Sequence, residues 1–297
     1  MKGSTDRKET DNREMTAQNN DHENSSQSGR KKSGILLNLI LVVCVLVFLG
    51  CGGYLGVYFY ASRQAESAFT EIKQEVEQDD CTEETGKPVY TTVQKKKVYK
   101  KYASVYEENT DFVGWLYIYG TRIDYPVMYT PEDEEYYIHR NFQGDYSAAG
   151  TLFAAANCSP TGKVSDNVII YGHNMKAGTM FNDLLKYEDE DFYKEHQTII
   201  FDTLDGPGTY TVIAAFYTKA YPEGDTEHYN IYDFTDAGSK EAFEDYVSRV
   251  KANTPYTIGE TASYGDKLLT LSTCAYHTED GRFVVVAKKI DNNSRLQ

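Results

Sequence analysis

From Ile35 to Tyr60 the chain runs for 26 residues without a charged side chain. A helix needs about 20 mainly apolar residues to cross the hydrocarbon of a bilayer, so this run is read as a transmembrane helix. It divides the chain into parts that face different compartments. The rival reading is a secretory signal peptide, whose apolar core is only about 7–15 residues long and closes on a small-x-small site. Here the run is longer and ends on Tyr58-Phe59-Tyr60, an aromatic edge of the kind that sits at a membrane interface. Arg30, Lys31 and Lys32 precede it. By the positive-inside rule the N-terminus is cytoplasmic and everything after Tyr60 lies outside the cell.

Residues 1–34 are rich in Asn, Ser, Asp and Lys and nearly devoid of apolar side chains. Such a segment cannot bury enough surface to offset the entropy of ordering, which predicts a disordered cytoplasmic tail. The chain's 30 basic and 45 acidic residues divide into 7 and 6 in that tail and 23 and 39 beyond the span, a net of −16 outside. Nucleic-acid binding requires clustered Lys and Arg, so that class of partner is excluded. The one basic run, Lys95-Lys96-Lys97 with Lys100 and Lys101, reads as the solvated face of a helix ahead of a contact for anionic wall polymer or lipid headgroups.

Residues 61–108 read as a helical stalk or N-terminal extension. Ala65, Phe69, Ile72 and Val76 fall at helical steps within Arg63 to Gln78, and Val98, Tyr102, Val105 and Tyr106 do so within Lys97 to Glu108. Gly86 and Pro88 break the two apart. Beyond residue 109 the pattern turns β-rich. Strands are predicted at Val113–Tyr119, Arg122–Met128, Thr151–Ala155, Asn167–Tyr171, Thr198–Thr203, Thr209–Thr218, Lys267–Cys274 and Phe283–Ile290. Eight short strands separated by turn residues suggest a closed barrel. Short helices are expected at Thr179 to Tyr187 and at Asp236 to Val250, the second inside the long connection Lys219 to Asp266. In that connection Tyr221, Tyr229, Tyr232 and Phe234 are available to line a groove, with ordinary packing as the alternative.

The chemistry-bearing residues sit at strand ends. Leu269-Thr270-Leu271-Ser272-Thr273-Cys274 carries a thiol off one strand, Val168-Ile169-Ile170-Tyr171-Gly172-His173 carries a histidine off another, and Arg282 opens the next β-run. Thiol, imidazole and guanidinium are the parts needed for acyl transfer through a thioester. Taken singly each has an ordinary reading, as a small buried filler, a surface or capping group and a solvated turn. The other cysteines offer less: Cys44 and Cys51 lie in the span, Cys81 in the linker, and Cys158 in a loop before Pro160. A Cys81–Cys158 disulfide is not favoured, because no even, closely spaced framework exists. His139, His196 and His228 have weaker contexts, and His277, three residues after Cys274, is the nearest rival to His173. There is no Cys-x-x-Cys or His-Glu-x-x-His pattern, so no metal and no cofactor is expected. The acidic clusters Glu132 to Glu135 and Glu188 to Asp191 lack the spacing of a calcium loop and read as solvated loops.

From about Glu107 to Ile290 the chain resembles the sortase family, class B. The resemblance is carried by Thr270-Leu271-Ser272-Thr273-Cys274, Tyr171-Gly172-His173, Arg282, the opening segment Asn109-Thr110-Asp111-Phe112-Val113-Gly114-Trp115-Leu116, and Asn141-Phe142 followed by Ala149-Gly150-Thr151-Leu152-Phe153. Ser272 at the third position of the cysteine motif favours class B. The resemblance implies a mainly β fold with added helices: an eight-stranded barrel over residues 109–297, helices before it, and a helix in the long loop ahead of the cysteine strand. It implies Cys274 as nucleophile, His173 in proton transfer and Arg282 at the substrate carbonyl, with Asn141, Tyr171, Ser272 and Thr273 beside the substrate. Thr270 and Leu271 are read as structural. The implied activity is a single-pass membrane cysteine transpeptidase that cleaves a C-terminal sorting signal after Thr. It would join the surface protein to an amine of cell-wall peptidoglycan. A pilus-polymerising enzyme using a Lys nucleophile, a hydrolytic cysteine protease and a non-catalytic peptide-binding module are the alternatives.

Overall fold

A computed structural model describes residues 36–57, 59–60, 67, 69–77, 87–222, 224–225 and 227–290. The tail, Ala65 and Cys81 fall outside them. Leu36–Val57 forms one helix of 22 residues whose leucines and valines are exposed along its length. At about 1.5 Å per residue it spans roughly 33 Å, enough to cross a bilayer.

The second unit is a closed barrel in the order β10-β8-β7-β3-β4-β5-β6-β9. Its strands are β3 (Phe112–Tyr117), β4 (Asp124–Met128), β5 (Leu152–Ala154), β6 (Asn167–Tyr171), β7 (Thr198–Thr203), β8 (Thr209–Lys219), β9 (Leu268–Cys274) and β10 (Gly281–Ile290). Each of the eight predicted strands is present, within a few residues at its ends. Two neighbouring pairs are parallel, β4 with β5 and β6 with β9; the rest are antiparallel. The β6–β9 pairing matters most, because it runs the histidine strand and the cysteine strand in the same direction and ends them at the same rim.

Alternation of side chains across a strand explains why β10 reads as an unbroken apolar run. Phe283, Val285 and Ala287 join the main core with Leu269, Leu271 and Ala215. Val284 and Val286 face the other way, into a second core beneath helix α3 (Lys240–Asn253) with Phe243, Tyr246, Val247 and Val250. Ser239 caps α3 by accepting from the Ala242 N–H at 3.2 Å. The predicted helix in the long connection is therefore present, displaced a few residues toward the C-terminus.

Upstream, residues 69–77 are helical and bury Phe69, Ile72 and Val76 in the main core. The second predicted helix is corrected. Tyr90–Val93 (β1) and Lys96–Tyr99 (β2) form a hairpin, followed by a 3-10 turn at Lys100–Tyr102 and a short helix α1 at Ala103–Glu108. Gln94 and Lys95 turn the hairpin at φ 48° and 70°, the left-handed pair of a type I′ turn. The lysine run thus lies on a hairpin, with Lys97 over the Tyr90 ring and Lys96 over Tyr106.

The acidic clusters are mostly solvent-exposed, as read, but lie largely on helical turns and not in loops. Glu134 opens a 3-10 helix, Glu134–His139, and accepts the Ala156 N–H at 2.7 Å. Asp189 caps helix α2 (Glu190–Glu195), and Glu188 accepts the Tyr217 hydroxyl at 2.8 Å. These carboxylates satisfy backbone and phenol donors and do not sit in loose loops. The expected helix after His173 is a 3-10 helix over Phe181–Glu188.

Candidate active site

Strand register brings the three strand-end residues together. Arg282 pairs directly with Cys274 across the antiparallel β9–β10 ladder, and directly opposed residues share a face with Cβ atoms about 4.5–5.5 Å apart. In the parallel β6–β9 ladder Tyr171 pairs with Ser272. Two residues further on each chain stand His173 and Cys274. All three line one cleft of about 530 Å³.

Gly172 is required by the fit. A Cβ there would run into Leu152 and lie 2.8 Å from the Phe181 ring, and both of those side chains are fully buried. Only glycine lets the His173 backbone lie this close to the barrel rim.

The His173 ring is half-buried and its Nε2 lies 2.7 Å from the Ile138 carbonyl oxygen. A carbonyl only accepts, so Nε2 carries a proton and Nδ1 is the nitrogen left to exchange one. Burial holds the imidazole below its ordinary value; the Ile138 carbonyl opposes that, and His139 lowers it further. His139 stacks on His173 with ring centres 5.3 Å apart and planes 21° from parallel. The neutral ring is therefore the resting form near neutral pH.

Arg282 donates one N–H to the Gly281 carbonyl at 3.1 Å. A guanidinium has five N–H donors in a rigid fork, so this single bond leaves the group able to grip a substrate oxygen in the cleft. The cleft wall is aromatic. Tyr232 donates to or accepts from the Ser272 hydroxyl at 2.8 Å and packs on the Tyr171 ring at 5.9 Å. Burial pushes the Tyr232 phenol up to about 12, so it stays neutral as a hydrogen-bonding wall.

Of the expected substrate contacts, Tyr171, Ser272 and Thr273 line the cleft. The Thr273 hydroxyl is already committed to the Gly172 carbonyl at 2.7 Å, so it braces the rim. Asn141 is not on the cleft: its side chain accepts the Asp145 N–H at 2.8 Å and closes a turn. Thr270 and Leu271 are fully buried. Of the four aromatics in the long connection, Tyr221 and Tyr232 line the cleft. Phe234 instead stacks on Tyr246 at 4.1 Å and Tyr229 lies under Arg249.

Sequence reading missed Glu134, Glu135, Ile138 and Asn230, which also line the cleft. Glu134 and Glu135 fall in a cluster read as a solvated loop, and only the tertiary fold carries residues 134–139 to the rim. Among the rival groups, His277 is exposed and packs on Tyr217 at 4.6 Å, away from the cleft. Cys158 is a free, buried thiol that donates to the Ala155 carbonyl at 3.1 Å. Burial pushes it up to about 11, which leaves it an inert filler.

Comparison with known proteins agrees with this architecture. The Sortase domain model matches residues 116–290. Sortase B of Listeria monocytogenes is 35% identical over 263 residues, covering 87% of this chain and 98% of that protein. Sortase B of Staphylococcus aureus is 26% identical over 257 residues, covering 86% and 96%. Among solved structures, sortase B of Bacillus anthracis in complex with AAEK1 superposes with a TM-score of 0.64 at 27% identity, over 79% of this chain and 100% of that one. The Staphylococcus aureus sortase B-substrate complex superposes with a TM-score of 0.65 at 25% identity, over 78% and 98%. An eight-stranded barrel in this order, with these likenesses along most of its length, makes the chain a member of the sortase family of cysteine transpeptidases, class B.

Proposed function

We propose that this chain is a membrane-anchored transpeptidase that cleaves the C-terminal sorting signal of a secreted surface protein after Thr and joins the protein to a peptidoglycan amine. In this reading residues 1–34 are the cytoplasmic tail, 35–60 the membrane helix, 61–108 an N-terminal extension and 109–297 the catalytic barrel outside the cell. The observation that carries it is the convergence of Cys274, His173 and Arg282 from adjacent strands on one cleft. A sortase B bound to its substrate among the structural neighbours supports a peptide as the occupant.

The steps balance as acyl transfer. The Cys274 proton passes to Nδ1 of His173 and the sulfur attacks the Thr carbonyl carbon. Arg282 holds the oxygen on which negative charge develops. When the carbonyl re-forms, the C–N bond breaks and the departing amine takes the proton from the imidazolium, leaving a thioester. The wall amine then attacks the same carbon and gives its proton to the neutral imidazole. The C–S bond breaks and the thiol is restored. His173 suits this cycle because its environment favours the neutral ring at rest.

The test is product analysis of a sorting-type peptide with and without an amine acceptor. A ligated product that forms only with the amine and disappears in Cys274→Ala supports the reading. Hydrolysed product alone, at a rate the amine does not change, makes the chain a hydrolytic protease.

A further inference from the structure

We propose that Asn174 is a positioning residue that fixes the peptide of Cys274 against the His173 strand end, and that Asn182 acts through it by orienting its amide. The inference rests on the assignment of Cys274 and His173 above.

Regular pairing of β6 with β9 ends at Tyr171 and Ser272. Twisted parallel strands diverge once their ladder stops, yet the reacting groups sit two residues past that point. Three hydrogen bonds hold the ends together there. Gly172 N–H donates to the Ser272 carbonyl at 3.2 Å, Thr273 Oγ1 donates to the Gly172 carbonyl at 2.7 Å, and Asn174 Nδ2 donates to the Cys274 carbonyl at 3.0 Å. The last is the outermost, and it grips the residue that carries the nucleophile.

The amide orientation follows from its partners. A carbonyl accepts only, so Nδ2 faces Cys274 and Oδ1 faces Asn182, whose Nδ2 donates to it at 2.7 Å. Asn182 is itself held. It lies on the 3-10 helix Phe181–Glu188, its N–H donates to the Thr179 carbonyl at 3.3 Å, and the neighbouring Phe181 N–H donates to the His173 carbonyl at 2.9 Å. Between the two asparagines, Arg122 Nη1 donates to the carbonyls of Ala177 and Gly178 at 3.1 and 3.3 Å. The 174–182 loop is therefore a braced clip. Its first residue holds Cys274, and the helix at its far end holds His173.

Asn174 touches no reacting atom in this arrangement. Its effect is on the relative placement of the sulfur and the imidazole, where an error of about 1 Å costs on the order of 10²-fold in rate. The sulfur itself and the cleft that binds the peptide are untouched by its loss, which separates turnover from binding.

The experiment uses the full chain in detergent micelles and a quenched fluorescent sorting-type peptide with Thr before the scissile bond, chosen as the one the wild type turns over fastest. Asn174→Ala, and Asn174→Asp with its donor exchanged for an acceptor, are each expected to lower kcat by about 10- to 100-fold while KM stays put. Asn182→Ala should lower kcat less, and adding it to Asn174→Ala should change nothing more, since it acts through the same amide. Wild-type kcat in both Asn174 variants, a KM that rises in step with the fall in kcat, or multiplicative losses in the double variant would each overturn the proposal. If Asn174→Ala does not fold, Asn174→Asp and Asn182→Ala carry the same test. Cys274→Ala separates the two levels. Turnover retained in it defeats the nucleophile assignment, whereas an inactive Cys274→Ala beside fully active Asn174 variants defeats only the positioning role.

Discussion

Gly172→Ala tests the fit of the histidine strand end against the barrel. The added Cβ would overlap Leu152 and sit 2.8 Å from the Phe181 ring, where carbon contacts settle at about 3.5–4.0 Å. Leu152 and Phe181 are fully buried, so the backbone of residue 172 must move outward by about 1 Å to reach ordinary contact. His173 is bonded to it and moves with it. Overpacking of this kind costs about 1–3 kcal/mol, which lowers the melting temperature of a domain this size by about 2–12 °C at roughly 2–4 °C per kcal/mol. Displacing the imidazole by about 1 Å should lower kcat/KM by about 10²-fold. The assays are thermal unfolding by circular dichroism and peptide cleavage at a temperature where both proteins are folded. Leu152→Ala added to Gly172→Ala should recover part of the activity, because it removes the group the Cβ meets first. Gly259→Ala, where a Cβ meets nothing within 4 Å, serves as the control and should match the wild type. Wild-type kcat/KM and melting temperature in Gly172→Ala would refute the argument.

Arg282→Lys keeps the positive charge but loses the planar fork, so turnover should fall by about 10²- to 10³-fold, as on removing one oxyanion donor; activity near wild type in a pH series would remove Arg282 from the site. His139→Phe keeps a ring stacked on His173 and removes its charge. His139 lowers the His173 pKa, so its loss should raise that pKa and move the acid limb of the pH–rate profile to higher pH. An unmoved limb contradicts the coupling. Because burial holds His173 below its unfolded value of 6.5, its contribution to stability is complete above that pH and is lost as the pH falls further. Melting temperatures should drop on acidification by less in His173→Gln than in the wild type, and equal drops would count against it. Phe243→Ala, in the core beneath α3, should cost about 3–5 kcal/mol in denaturant unfolding, and a loss under 1 kcal/mol would mean that α3 is not packed as described.

The barrel was legible because its strands are apolar runs between turn residues, and β10 shows why burial on both faces does not blur the signal. The hairpin at Tyr90–Tyr99 was not legible. Its turn residues, Gln94 and Lys95, adopt positive φ without the glycine or asparagine that announces a type I′ turn. Val98, Tyr102 and Val105 are all buried, which mimics one helical stripe although the first belongs to β2 and the last to α1. In the site, Cys274, His173 and Arg282 were legible because strand ends project side chains predictably. Glu134 and Ile138 were not, because the 3-10 helix Glu134–His139 meets the rim only through tertiary packing. Asn141, a recognisable motif residue, lies off the cleft with its Oδ1 accepting from the Asp145 N–H in its own turn.

The central claim is that Cys274 becomes acylated by the sorting peptide. Full-length protein mixed with the peptide and no amine acceptor, quenched in acid, digested and analysed by mass spectrometry should show the N-terminal part of the peptide bound to the fragment that carries Cys274. Adding the amine should deplete that adduct as the ligated product appears. Cleavage in the absence of any adduct, or an adduct on Cys158 in its place, would contradict the account.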